Sequence, residues 1–392
     1  MFAVLSDSTA RRAIVSIVSQ FESLEDPRIQ RGKRHALIQV IVMALLAMIC
    51  GADGWDDFED WADANAEWLG DILDLPGGET PSDDTFRRVF QAIDKAAFAD
   101  CVHQWMAALC GSLEGKTIPI DGKTLRRAFD RARGLNPLHV VEAWVAENRV
   151  VLGQAVAENG DEFGAIVKLV ERFDMKGALL TLDAGAAHRE LCAKIVAAEA
   201  DYLMAVKGNE PTLQDAINKC FEDPTTGRTF ETREDAHGRI EVRRVRILPA
   251  KELGALRDEW TGAGSIACVE RIRTTEGVIP SVSRVCYISS VAVREAPRLA
   301  ETIRTHWSIE NTLHWTLDVA FREDENRVRD RTGAANLALL RRTALTLLKN
   351  HDMDRKKSIR SKRWLAGMNP DLALSILCGR QVANEADDIA SV

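Results

Sequence analysis

The feature that most limits what this chain can fold into is a change of hydrophobic period near Lys116. Before it, apolar residues recur every three or four positions over 10–22, 37–50, 55–74 and 84–109. That spacing predicts helices, divided by turn signals such as "PGGETPSDD". Ser82 or Asp83 can cap the helix that starts near Asp84, because a short oxygen-bearing side chain accepts an orphan helix N–H. After it, "KTIPID", a hairpin within "LHVVEAWVAENRVVLGQAVAEN", "GALLTLD" and "DYLMAVK" read as strands. Helical stretches fall at 162–173, 187–198 and from Pro211. The order β-β-β-α-β-α-β predicts an α/β fold with a mixed sheet flanked by helices. Arg228 to Ser290 is strand-rich and irregular, helix resumes at Pro297, and Gly333–Asn350 is a further helix. The expected division is a helical N-terminal domain at 1–105 and an α/β domain at 106–352 with a β-rich insertion at about 224–292. A basic then acidic tail follows at 353–392.

Charge is distributed unevenly. The net charge of −8 argues against a nucleic-acid partner, but the average hides two blocks. From Asp53 to Asp84 there are twelve acids and no Lys or Arg; from Arg341 to Arg363 there are nine Lys/Arg against Asp352 and Asp354. The basic segment reads either as a phosphate-binding surface or as a solvated tail. Eight scattered cysteines without a C-x-x-C read as reduced thiols of a cytosolic protein. The polar run Asp7–Arg12 argues against a signal peptide, and the longest apolar run, Leu37–Cys50, is too short for a bilayer. A cytoplasmic protein with no membrane partner is expected.

Two predicted strands end in aspartates, Asp121 and Asp183, which can point to one sheet edge, and "RTHWSIENTLHW" adds Glu310 on a helix. Three converging carboxylates suit Mg²⁺ or Mn²⁺. A pair of such ions can activate a water or a 3′-hydroxyl against a phosphodiester. On that helix Ile309, Leu313, Leu317 and Ala320 form an apolar stripe, Trp307, Asn311 and Asp318 lie opposite, and Glu310 sits at the boundary. His306, Glu310 and His314 also raise a zinc reading. Four-residue steps put the outer pair about 12 Å apart on a straight helix, so all three cannot close on one ion.

At these residues the sequence resembles the DDE transposases of bacterial insertion sequences, in the subgroup of H-repeat-associated proteins. The blocks that carry the resemblance are "LEDPRIQRGKRHAL", "PSDDTFRRVF", "IDGKTLRR", "LHVVEAWVAE", "TLDAGAAHRE", "DYLMAVKGNEPTL", "HGRIEVRRVRI" and "IRTHWSIENTLHWTLDVAFRED". It implies a ribonuclease-H-like catalytic domain in which Asp121, Asp183 and Glu310 hold two Mg²⁺ or Mn²⁺ ions. The 126 residues between Asp183 and Glu310 leave room for the β-rich insertion of this class. Ile303, His306 and Leu317 stand where the broader superfamily has tyrosine, arginine and lysine, which is the form of the subgroup. The implied partners are the terminal inverted repeats of an element and target DNA, bound by a homodimer or higher multimer.

Several side chains are then candidates for DNA contact. Lys123 and Arg126 (with Arg127) follow Asp121 and either hold phosphate or are solvated charge. Lys207 and Asn209 form either a DNA-facing loop or a plain turn. His237 and Arg239 lie on the insertion, and His188 follows Asp183. Arg304, His306, Trp307, Asn311 and His314 surround Glu310, with Trp307 placed to stack on an extruded base. Two further readings remain open: a nuclease that stops at cleavage, and a DNA-binding relic that does not cut.

Overall fold

The computed structural model describes residues 14–15, 17–29, 33–130, 133–236, 239–275, 280–353 and 355–379. Its centre is a sheet whose first five strands are β1 (Thr117–Leu125), β2 (Leu138–Val145), β3 (Val150–Val156), β4 (Leu179–Leu182) and β5 (Asp201–Val206). β1, β2 and β3 pair antiparallel, whereas β1 with β4 and β4 with β5 pair parallel. The wholly apolar character of "LLTL" follows from this position: β4 lies between β1 and β5, and all four residues are buried. The spatial order of these five is β3-β2-β1-β4-β5.

The β-rich insertion is more regular than its sequence suggests. β6 (Arg228–Ala236), β7 (Arg239–Pro249), β8 (Ser265–Thr275) and β9 (Ser281–Ser289) form an antiparallel meander. β9 returns to pair with β5, so the insertion extends the central sheet to nine strands. Its charged residues face one another across the ladder: Glu231 meets Arg244, Glu241 meets Arg273 and Glu270 meets Arg284. Opposed charges in register fix strand pairing without a second apolar face.

The N-terminal helices are α1 (Leu37–Ile49), α2 (Trp55–Ala64), α3 (Ala66–Leu73), α4 (Asp83–Ala92) and α5 (Lys95–Cys110). Ser82 caps α4 by accepting the Thr85 N–H, and Asp94 caps α5, dividing what periodicity alone joins into one helix. α6 (Glu162–Arg172) and α7 (Arg189–Ala197) form the crossovers to β4 and β5; α8 (Pro211–Cys220) precedes the insertion. α9 (Ala296–His306), a π-helical turn (Ile309–His314) and α10 (Trp315–Ala320) follow it. α11 (Arg331–Asn350) then packs against α1, α4, α5, β2 and β3, joining the N-terminal helices to the sheet in one continuous core. Among the described residues no helix is long and apolar enough to cross a membrane.

The C-terminal segment differs from the tail that its charge suggests. α12 (Ile359–Met368) and α13 (Pro370–Cys378) pack on α1 and α11. Arg363, 4% exposed, donates to the Met48 and Ala52 carbonyls at 3.1 and 2.9 Å and pairs with Asp53, closing the end of α1. Arg341 and Arg342 are buried as well. Part of the basic block is therefore structural, and the acidic stretch after Gly379 lies outside the described residues. Arg342 bridges two buried carboxylates, Glu142 and Glu323. Replacing it by methionine strands both charges and is expected to cost about 3–5 kcal/mol. Urea unfolding of Arg342→Met measures this, and wild-type stability would contradict the bridge.

Candidate active site

The parallel register of β1 and β4 puts the two aspartates side by side. Ile120 pairs with Leu182, and Asp121 and Asp183 are the next residues on each strand. Adjacent strands lie about 4.8 Å apart, so the two carboxylates emerge together where the β1–β4 pairing ends; β1 does not stop at Asp121 as the sequence suggests but runs on to Leu125 beside β2. Asp121 Oδ1 accepts the Gly122 N–H at 2.9 Å, and Asp183 Oδ1 accepts the Ala184 N–H at 2.7 Å as the chain turns away from β4. The glycine in "DGK" makes room for a neighbour: a Cβ at Gly122 would lie 2.4 Å from His139 Nε2, so that ring would have to move.

The helix carrying Glu310 is not the straight α-helix that its apolar spacing predicts. Ile309–His314 is π-helical, with Ile309, Leu313 and Leu317 buried as expected. Such wide turns re-aim side chains and recur at functional sites. Here the two histidines reach different aspartates. His314 Nε2 donates to Glu142 Oε2 at 2.6 Å while its Nδ1 stands 3.7 Å from Asp121 Oδ2. His306 Nδ1 hydrogen-bonds Thr181 Oγ1 at 2.8 Å, close enough to Asp183 to influence its charge. Glu310 is exposed beside them and raises the Asp121 carboxyl through its charge.

The electrostatics separate the aspartates. Burial pushes Asp121 up to about 6; His314 and the Gly122 N–H oppose this, and Glu142 and Glu310 add to it. Burial also pushes Asp183 up, but the Ala184 N–H, the Lys207 ammonium at 3.1 Å and His306 outweigh it and lower its pKa. For His314, burial is outweighed by Glu142 and Asp121, which raise its pKa. Burial and Lys207 lower His306, so this histidine is neutral at neutral pH and held by Thr181, a poor substitute for an arginine facing DNA.

The three carboxylates are hard-oxygen donors, and a divalent ion beside Asp121 would favour the charged form that burial disfavours. Donor chemistry therefore fits Mg²⁺ or Mn²⁺. Among the described residues, no three His, Cys, Asp or Glu side chains are gathered closely enough to hold an ion, and the Asp183 carboxylate is engaged by Lys207.

The predicted DNA contacts fall in different surroundings. Lys207 and Asn209 join the site: Lys207 pairs with Asp183, and Asn209 Nδ2 donates to the Ala184 carbonyl at 2.7 Å. Arg126 and His188 are exposed nearby, the former 3.3 Å from Asp324 and the latter edge-on to Phe163. Arg304 pairs with Glu234 of the insertion, and Asn311 donates to the Trp307 carbonyl. Lys123 needs correction, since neither DNA contact nor solvated charge describes it. It is 8% exposed, with both Asp318 oxygens 2.8 Å from its ammonium. Trp307 is half-buried with the Arg271 guanidinium 4.7 Å over its ring, so a base cannot stack on that face. His314 likewise points inward to Glu142. His237 lies outside the described residues, and Arg239 is described by its backbone, which opens β7.

Sequence reasoning missed Glu142. It lies directly across the ladder from Asp121, fully buried, and Arg342 holds it near a pKa of about 2 against the burial that would raise it. A lone glutamate inside "HVVEAWV" was the available signal, because a buried charge requires a partner.

Two family descriptions match the chain: "DDE_Tnp_1-associated" over residues 18–106 and "Transposase DDE domain" over residues 109–347. The chain is 35% identical over 367 residues to "Putative transposase YncI" of Escherichia coli O157:H7, covering 91% of this chain and 93% of that one. It is 32% identical over 358 residues to "H repeat-associated putative transposase YhhI" of Escherichia coli (strain K12), covering 88% and 93%. The chain belongs to the DDE transposases, on their H-repeat-associated branch, and carries their ribonuclease-H-like domain.

Proposed function

We propose that this protein cleaves phosphodiesters at the ends of an insertion element and joins the freed 3′-hydroxyl to target DNA. The observation that carries the reading is the β1–β4 register, which sets Asp121 beside Asp183 with Glu310 in electrostatic reach. Asp121, Asp183 and Glu310 would hold a pair of Mg²⁺ or Mn²⁺ ions, which supply activation of the attacking oxygen and stabilisation of the leaving one. The chain's own groups do the positioning. His314, anchored by Glu142, sets the Asp121 carboxylate from below, and the Asp183 turn is held by Asn209. Lys207, exposed at the rim, neutralises Asp183 and is available to a phosphate once that carboxylate turns to a cation. The working form would be a multimer on the inverted repeats, acting on the cytoplasmic nucleoid.

The direct test incubates the protein and Mg²⁺ with a labelled element-end duplex and a second, target duplex. Joining is expected; cleavage without joining would reduce the activity to that of a nuclease. Asp121→Asn, Asp183→Asn and Glu310→Gln should each abolish cutting while DNA binding persists, and wild-type cutting by any of them overturns the triad.

Asp121 adds a stability signature. Its folded pKa lies above the unfolded value, so its ionisation penalises the fold. The penalty is absent below about pH 4 and grows as pH rises through about 6, reaching roughly 2–3 kcal/mol. In EDTA at neutral pH, Asp121→Asn should therefore unfold at a higher temperature than wild type, and the gap should close on acidification. Lys123→Met should do the reverse, destabilising the protein while leaving the salt dependence of DNA binding unchanged. A shallower salt slope would restore Lys123 to the DNA interface.

A further inference from the structure

The segment that carries Glu310 has a second occupied face. His314 and Asp318 reach β2 and β1 through Glu142 and Lys123. Thr312, Trp315, Thr316 and Val319 instead line a separate open groove of about 800 Å³. Its other wall is the chain after α11, with Arg355, Lys356, Lys357 and Arg360 exposed, joined by Arg149 from the β2–β3 turn. Trp315 and Val319 stand 61% and 50% exposed at its edge.

The charge here is unlike that of the insertion. On the insertion, Arg244, Arg273 and Arg284 each meet a glutamate. Among the described residues, none of the five exposed groove cations forms an ion pair with a carboxylate, and Asp352 is the acid lining the groove. Lys349 lies beneath them, pushed down to about 7 mainly by burial and then by Arg149. Five unmatched cations on a chain of net charge −8 repel one another and are stabilised by a polyanion. An exposed tryptophan among them adds an apolar surface of the kind that packs on sugar or base.

We propose that this groove is a second DNA-binding surface, gripping the phosphates of a duplex segment other than the one held at Asp121, Asp183 and Glu310. It rests on the reading of the chain as a DNA-processing enzyme. Because Trp315 follows Glu310 by five residues, one π turn further along the same segment, a duplex in the groove presses on the element that carries the carboxylate.

Binding is measured on the full chain in the Asp121→Asn background, so loss of cutting does not enter the result. A fluorescent duplex of random sequence is titrated by anisotropy at several salt concentrations. Arg355→Ser, Lys356→Ser, Lys357→Ser and Arg360→Ser combined should make the plot of log affinity against log salt shallower by about 3–4. Affinity at moderate salt should fall at least roughly tenfold. A control with Lys176→Ser, Lys219→Ser, Lys251→Ser and Arg294→Ser, all outside the groove, should keep the wild-type slope. DNA should also quench the fluorescence component that Trp315→Phe removes. If the fourfold variant loses its thermal transition, Lys356→Glu with Lys357→Glu carries the same test. An unchanged slope in the groove variant, or an equal loss in the control, overturns the proposal.

Discussion

The arrangement rests on one buried array of charges. Glu142 on β2, Arg342 on α11 and Glu323 after α10 lie within the core, and His314 connects Glu142 to Asp121. Each of these elements comes from a different part of the chain. Two carboxylates and a guanidinium out of water carry a desolvation penalty of several kcal/mol per ion, recovered only when all partners are present in good geometry. The array therefore stabilises little in net terms but tolerates few alternatives. It sets the position of α11 on the sheet and of the π-helical turn over β1.

The π turn explains how one helix serves two aspartates. On a straight α-helix His306 and His314 would project from one side, about 12 Å apart. With the wide turn between them, His306 settles against Thr181 beside Asp183, and His314 against Glu142 beside Asp121. Glu310 between them is left exposed at the edge. The histidines thus support the candidate ligands from within, and the positive charge nearest the rim is Lys207.

How much of this was legible follows from where each signal resides. Asp121 and Asp183 were readable because an acid after an apolar strand run is a local pattern, and the ordered blocks gave it context, although β1 runs on to Leu125 past Asp121. The stripe of Ile309, Leu313 and Leu317 was readable for the same reason. Three features were hidden because they depend on partners distant in sequence. Lys123 looks like a phosphate ligand beside Asp121 until Asp318, 195 residues away, closes on it. Arg341, Arg342 and Arg363 look like a solvated block until the structure buries them against Asp53, Glu142 and α1. The insertion reads as irregular because its period-2 pattern is written in paired charges across strands, which hydrophobicity does not register.

The division of the basic block also resolves the conflict between net charge and proposed partner. Overall charge counts arginines that are spent inside: Arg342 neutralises Glu142 and Glu323, Arg363 seals α1, and Lys362 donates to the Leu348 and His351 carbonyls. Only cations without such partners contribute to the external field. The acids, too, are unevenly placed, since Asp56, Asp57, Asp83 and Asp84 sit in the first turns of α2 and α4, where helix dipoles favour them. A DNA-binding surface on an acidic chain thus requires a local excess and not a basic whole. In this fold that excess lies around the end of α11, where the residues that anchor the helix give way to cations that form no ion pair among the described residues.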